Sequence, residues 1–169
     1  MVVGPAYWPT LGWSALLVFV QSMFAPFVAF RGGVPSLAVI AVVLYANRVG
    51  ARRGALLALP VGMLEDIFAG TGGGWTFATA VVGLCVGGLS RRVFADGAFV
   101  PAVICALAVL LRDLVFWIVM RLEGFPPGYA LVHFHVALWN AALTGVIAFV
   151  WLVVRGRLVV DKTTIHRYV

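Results

Sequence analysis

Residues 62–75, GMLEDIFAGTGGGW, set two adjacent carboxylates, Glu65 and Asp66, inside an apolar run and follow them at once with a glycine cluster. A carboxylate turned toward hydrocarbon costs about 2.5 kcal/mol or more, so both must face protein, water or the interface. The rest of the chain has to accommodate them.

Composition decides which solvent that argument applies to. Of the 169 residues, 63% are hydrophobic and 11% charged, and the mean hydropathy is +1.08. Soluble domains are nearer half apolar and a quarter charged, so the sequence reads as an integral membrane protein. Its length holds one domain of five or six spans of about 20 residues each, with no room for a soluble domain. The formal charge of +6 does not point to nucleic acid, because the arginines are scattered between apolar runs without interleaved aromatics. Cys85 and Cys105 both fall in apolar runs and read as small hydrophobes. The N-terminus has no basic region and no small-residue cleavage site, so the first apolar run is expected to remain as a span.

Outward from the opening stretch, the apolar runs divide into six spans: 10–30, 35–47, 54–69, 75–90, 99–120 and 130–154. Tyr7 and Trp8 suit the headgroup level before the first span. The second is only about 20 Å long against a core of about 30 Å. It extends into its flanks, sits in thinned bilayer, or pairs with the third as a re-entrant hairpin. Pro60 bends the third span. In the fourth, Gly83 and Gly87 stand at the spacing that lets another helix approach closely. Residues 155–169 form a basic tail.

Six spans divide the cations unevenly. Nine lie on one side (Arg48, Arg52, Arg53, Arg91, Arg92, Arg155, Arg157, Lys162 and Arg167), two on the other (Arg31 and Arg121), and Arg112 lies within the membrane. Positive loops stay in the cytoplasm, which places both termini there and argues against hairpin spans that would gather every loop on one face. Helical rise then sets depth: Asp66 lies about 18 Å and Arg112 about 20 Å from the cytoplasmic ends of their spans. Asn140 reaches a similar level from the outer side. The expected site is therefore a buried cluster of Glu65, Asp66, Arg112, Asp113 and Asn140, with His135 as an outer member.

Arg112 is the cation of that cluster and should pair with whichever carboxylate it can grip bidentately, and charge reversal at Asp66 and Arg112 together tests that pair. The cluster reads either as a proton or solute site or as a polar clasp fixing helix register, and the clasp is the favoured reading. No catalytic motif is present, and the run Gly72-Gly73-Gly74 lacks the lysine and hydroxyl of a phosphate loop. His133 and His135, two residues apart, do not share a helical face and read as interface histidines without partners, so no metal or cofactor site is assigned. Trp75, Phe77, Trp117 and Trp139 read as belt aromatics. A small lipid-modifying enzyme with Asp66 or Asp113 as base has only the acidity of those residues behind it.

The layout resembles the MreD family of bacterial rod shape-determining membrane proteins. The resemblance is carried by the six-span length, the short second span, Gly62, Leu64, Asp66, Gly70, Gly74 and Trp75 around the turn, and a glycine-rich fourth span (Gly83, Gly87, Gly88) ending in Arg91-Arg92. Glu65 beside Asp66 and the Arg112-Asp113 pair lie outside that pattern. The resemblance implies an all-α polytopic bundle similar to the S components of energy-coupling factor transporters. It also implies a non-enzymatic scaffold that binds MreC and, with it, supports RodA and a class-B penicillin-binding protein above MreB filaments. The alternative is a vitamin-binding S component, whose ligand set would be the polar cluster.

Overall fold

A computed structural model describes residues 7–93 and 97–165, with side chains described for 7–89 and 97–156. The side chains of Arg91, Arg92, Arg157 and Lys162, and Asp96 and Arg167 altogether, lie outside the described set. The chain is all-helical: α1 (Tyr7–Val28), α2 (Leu37–Val49), α3 (Ala51–Ala69), α4 (Gly74–Val93), α5 (Phe99–Leu122) and α6 (Ala130–Ile165), with one 3-10 turn at Pro127–Tyr129. Three segments, Tyr7–Val28, Phe99–Leu122 and Pro127–Gly156, are long and apolar enough to cross a membrane, while α2 and the apolar part of α4 are shorter. Large apolar side chains such as Phe27, Ile67, Leu122 and Leu131 face outward, as they do where the solvent is lipid.

The short second helix is the centre of the bundle. It touches each of the other five helices, and Ala38, Val39, Val42, Val43 and Ala46 are fully buried. Its 13 residues cover about 20 Å, because the helix begins inside the bundle and not at its surface. The preceding chain, from Phe30 to Ser36, descends to that level through a tight turn closed by paired Phe30 and Gly33 backbone hydrogen bonds. Gly33 is required there: a Cβ would lie 2.4 Å from Cβ of Trp139 and 3.0 Å from the Asn140 nitrogen on α6.

At the other end of α2, Gly50 alone separates it from α3, with φ of 89°. Arg48, Arg52 and Arg53, read as a loop, therefore occupy the last turn of α2 and the first turn of α3. This end of the bundle, with the start of α5 and the 155 region of α6, is the basic end; the glycine turn at 70–73 and the 122–130 connection mark the turn end. The third helix continues unbroken through Pro60. The sixth does not stop at Val154: residues read as a tail are helical as far as Ile165.

Small residues set how α3 and α4 pack. A Cβ on Gly62 would meet Thr76 Cα at 2.6 Å, one on Gly83 would meet the Gly54 carbonyl oxygen at 2.8 Å, and one on Gly87 would meet Ala51 Cα at 2.5 Å. The close-approach spacing read at Gly83 and Gly87 thus has its partner within the chain, along Ala51, Gly54 and Ala58.

Candidate functional site: a buried polar layer

Five of the six helices, together with Ser36 that caps α2, bring polar side chains together inside the bundle, and the need for them starts with backbone. A helix leaves its first N–H groups without intrahelical partners, and where no water reaches them each must be satisfied by protein. For α2, Gln21 of α1 accepts from Leu37 N at 2.8 Å and Ala38 N at 3.4 Å, and Ser36 Oγ accepts from Val39 N. From α6, Thr144 Oγ1 accepts from Ser36 N at 2.8 Å and Asn140 Oδ1 from Val34 N at 2.7 Å.

The charged residues are built onto this frame. Arg112 Nη1 donates to Glu65 Oε1 at 2.9 Å and to Ser36 Oγ at 3.1 Å. Its Nη2 lies 3.7 Å from Asp113 Oδ1. The guanidinium rests on Trp75, 4.5 Å from the ring centroid, and Trp75 is itself stacked on Phe116 at 3.8 Å. Both the ion pair and the ring hold the cation in a site where it is only 5% exposed. Glu65 is completed by Thr79 Oγ1 at 3.4 Å. Asp113 Oδ2 accepts from Asn140 Nδ2 at 3.2 Å. Arg112 Nε and Asp113 Oδ1 have no hydrogen-bond partner.

Asp66 has a different task from the one expected. It makes no ion pair with Arg112; its oxygens accept from Thr71 Oγ1, Trp75 N, Thr76 N and Thr76 Oγ1. Asp66 therefore staples the glycine turn to the start of α4, where a carboxylate also complements the helix dipole. Adjacent helical residues point about 100° apart, so only one of the two carboxylates can reach α5, and it is Glu65. Arg112 holds it through one nitrogen, without the bidentate grip.

The turn around α4's start makes a direct prediction. Asp66→Ala should destabilise the fold by about 2 kcal/mol, the loss of a cap together with charge-assisted bonds. Thermal unfolding in detergent should fall by several degrees, with Asp66→Asn intermediate. An unchanged midpoint in both variants would exclude the staple.

The histidines also exchange roles. His135 is exposed and joins no part of the layer. His133, read as unpartnered, approaches the Asp113 backbone oxygen with Nε2 at 3.0 Å; the carbonyl only accepts, so the ring nitrogen donates. His133 also lies against Trp117, with 5.2 Å between ring centroids. Trp139 carries Arg31 on its face at 5.1 Å, and Phe77 is exposed. Of the two cysteines, Cys105 is buried and Cys85 exposed. Among the described residues no three His, Cys, Asp or Glu side chains gather where a metal ion would fit.

Gln21, Ser36, Thr79 and Thr144 were not among the sequence candidates for this layer. Two carried a local signal: Ser36 precedes an apolar run at a helix-cap position, and Thr144 stands one helical turn from Asn140 on the same face. Chemically the layer ties helix ends and buried charges together, since nearly every donor and acceptor is spent within it. The chain matches no protein-family model, no curated protein and no solved structure.

Proposed function

We propose that this protein is a non-enzymatic membrane scaffold of the MreD kind, crossing a bacterial cytoplasmic membrane six times with both termini in the cytoplasm. In this reading it binds MreC, a single-span protein, and with it supports RodA and a class-B penicillin-binding protein in cell elongation above MreB. One observation carries the reading. The outer face of α5 and α6 holds a groove of about 450 Å³ floored by Ala102, Ala106, Ala142 and Gly145 and flanked by Phe99 and Phe149. Its lining repeats at helical spacing on both helices, and small residues between larger walls are what a transmembrane helix needs for close approach.

Three helices are long and apolar enough to cross alone, and in this reading the other three cross beside them. The short helices do not have to span alone, because α2 and the α3–α4 turn end on the shared polar layer while α5 and α6 rise beside them. The vitamin-binding alternative requires convergent polar groups facing a preformed cavity. Here those groups face helix ends and one another.

Co-expression with MreC tests the proposal. Ala142 is exposed, so Ala142→Trp fills the groove without entering the core. Co-purification of MreC should fall by about tenfold or more while monodispersity of the variant is unchanged. Full retention of MreC by a folded Ala142→Trp variant would remove the groove from the proposal.

A further inference from the structure

A second cleft lies on the opposite side of α6. The first helix packs on α2 and α3, and α6 packs chiefly on α5, so the face of α2 carrying Leu37, Ala41, Leu44 and Arg48 forms a floor between them. Those four residues recur on one helical face. Two cavities lie along the floor. The one toward the turn end, about 150 Å³, is walled by Val20, Phe24 and Ile147 with Gln21 and Pro35 behind them. The one at the basic end, about 140 Å³, is lined by Trp13, Ser14 and Tyr45 and closed by the two guanidinium side chains of Arg48 and Arg155.

The charge at that mouth is uncompensated among the described residues. Arg48 and Arg155 are both exposed, and the described ion pairs join Arg112 to Glu65 and Asp113. The described carboxylates, Glu65, Asp66, Asp113 and Glu123, all belong to the polar layer or the turn end. An apolar slot capped by two arginines and an indole has the chemistry of a phospholipid site: anion at the mouth, acyl chain along the slot. The length agrees. From Arg48 to Leu37 is about 16 Å of helix, close to half of a hydrocarbon layer of about 30 Å, the depth of one leaflet.

We propose that the cleft between α1 and α6 binds one anionic phospholipid of the basic-end leaflet, its phosphate held by Arg48 and Arg155 and one acyl chain lying on α2. This differs from general attraction of a basic surface to the membrane, because it fixes one lipid in one place. It does not depend on which protein occupies the α5–α6 groove.

Native mass spectrometry of the full chain, released from nanodiscs of equal phosphatidylglycerol and phosphatidylcholine with matched acyl chains, tests it. The protein should retain a single phosphatidylglycerol. Two basic side chains, each contributing roughly fivefold at an anionic surface, should make the preference about twentyfold or more. Arg48→Gln/Arg155→Gln should reduce it to near parity. Arg52→Gln/Arg53→Gln, which removes two exposed arginines from the same end, should leave it intact. Ala41→Phe should expel the lipid by filling the floor. Retained preference in the Arg48/Arg155 variant, equal loss in the Arg52/Arg53 variant, or a protein segment captured by a cross-linker placed at position 41 would each overturn the site.

Discussion

Arg112→Leu is expected to lower the stability of the folded protein by about 3–5 kcal/mol, because it strands buried carboxylates that pair with no other cation among the described residues. Glu65 and Asp113 are 8% and 1% exposed, and the described ion pairs of both run to Arg112. Ser36 Oγ, which caps α2, loses a donor as well. The variant should therefore accumulate poorly in membranes and unfold at markedly lower denaturant in mixed micelles. Because a variant this damaged can fail to fold, the sharper measurement is a double-mutant cycle on milder changes. Arg112→Lys with Glu65→Gln should show a coupling energy above about 1 kcal/mol, while Arg112→Lys with Asp66→Asn should be additive within about 0.5 kcal/mol. Strong coupling to Asp66 and none to Glu65 would reverse the assignment.

Gly87→Val should be the second severe change. The position where its Cβ would stand is 2.5 Å from both the Cα and the nitrogen of Ala51, and backbone atoms cannot turn aside as a side chain can. The helices α3 and α4 must separate at their basic end, at a cost of about 3 kcal/mol, the upper end of ordinary overpacking. Gly88, the next residue, has nothing within 4 Å of its would-be Cβ. Gly88→Ala should be neutral or stabilise by about 0.5 kcal/mol, as removal of a helical glycine does. A matched pair of unfolding curves separates the two positions, and equal behaviour of Gly87→Val and Gly88→Ala would contradict the packing.

These two cases mark what the sequence could convey. Helical rise is fixed, so counting from the cytoplasmic ends set Asp66 and Arg112, with their neighbours Glu65 and Asp113, at the depth that Asn140 reaches counting from the outer end. In the structure Glu65, Arg112, Asp113 and Asn140 are linked side chain to side chain, while Asp66 bonds to the glycine turn and the start of α4. Rotation about each helix axis is not fixed by counting. That is why Asp66, one residue from Glu65, turns to cap α4 while Glu65 meets Arg112, and why His133 enters the layer while His135 faces out. The role of the loop before α2 was beyond reach for another reason. Its stabilising bonds join Val34 to Asn140 and Ser36 to Thr144, more than a hundred positions apart, and no local pattern records such a pairing. The shortness of α2 was legible, but its cause was not: the helix is short because its first turn is capped inside the bundle.

The same layer bears on function by what it leaves over. With most of its polar groups committed to helix ends and to one another, two grooves on the outside of the bundle stand out among the described residues, one beside α5 and one beside α1. An interior committed in this way, with grooves on its outer faces, is what the proposed scaffold requires.

Photo-cross-linking in native membranes is the most direct test of the scaffold. A photoreactive residue at position 142 or 106, within the α5–α6 groove, should capture the transmembrane segment of MreC. The same residue at position 63, exposed on α3 outside that groove, should not. Capture of MreC from position 63 alone, or isolation of the protein with a cytoplasmic ATPase pair and without MreC, would contradict the account.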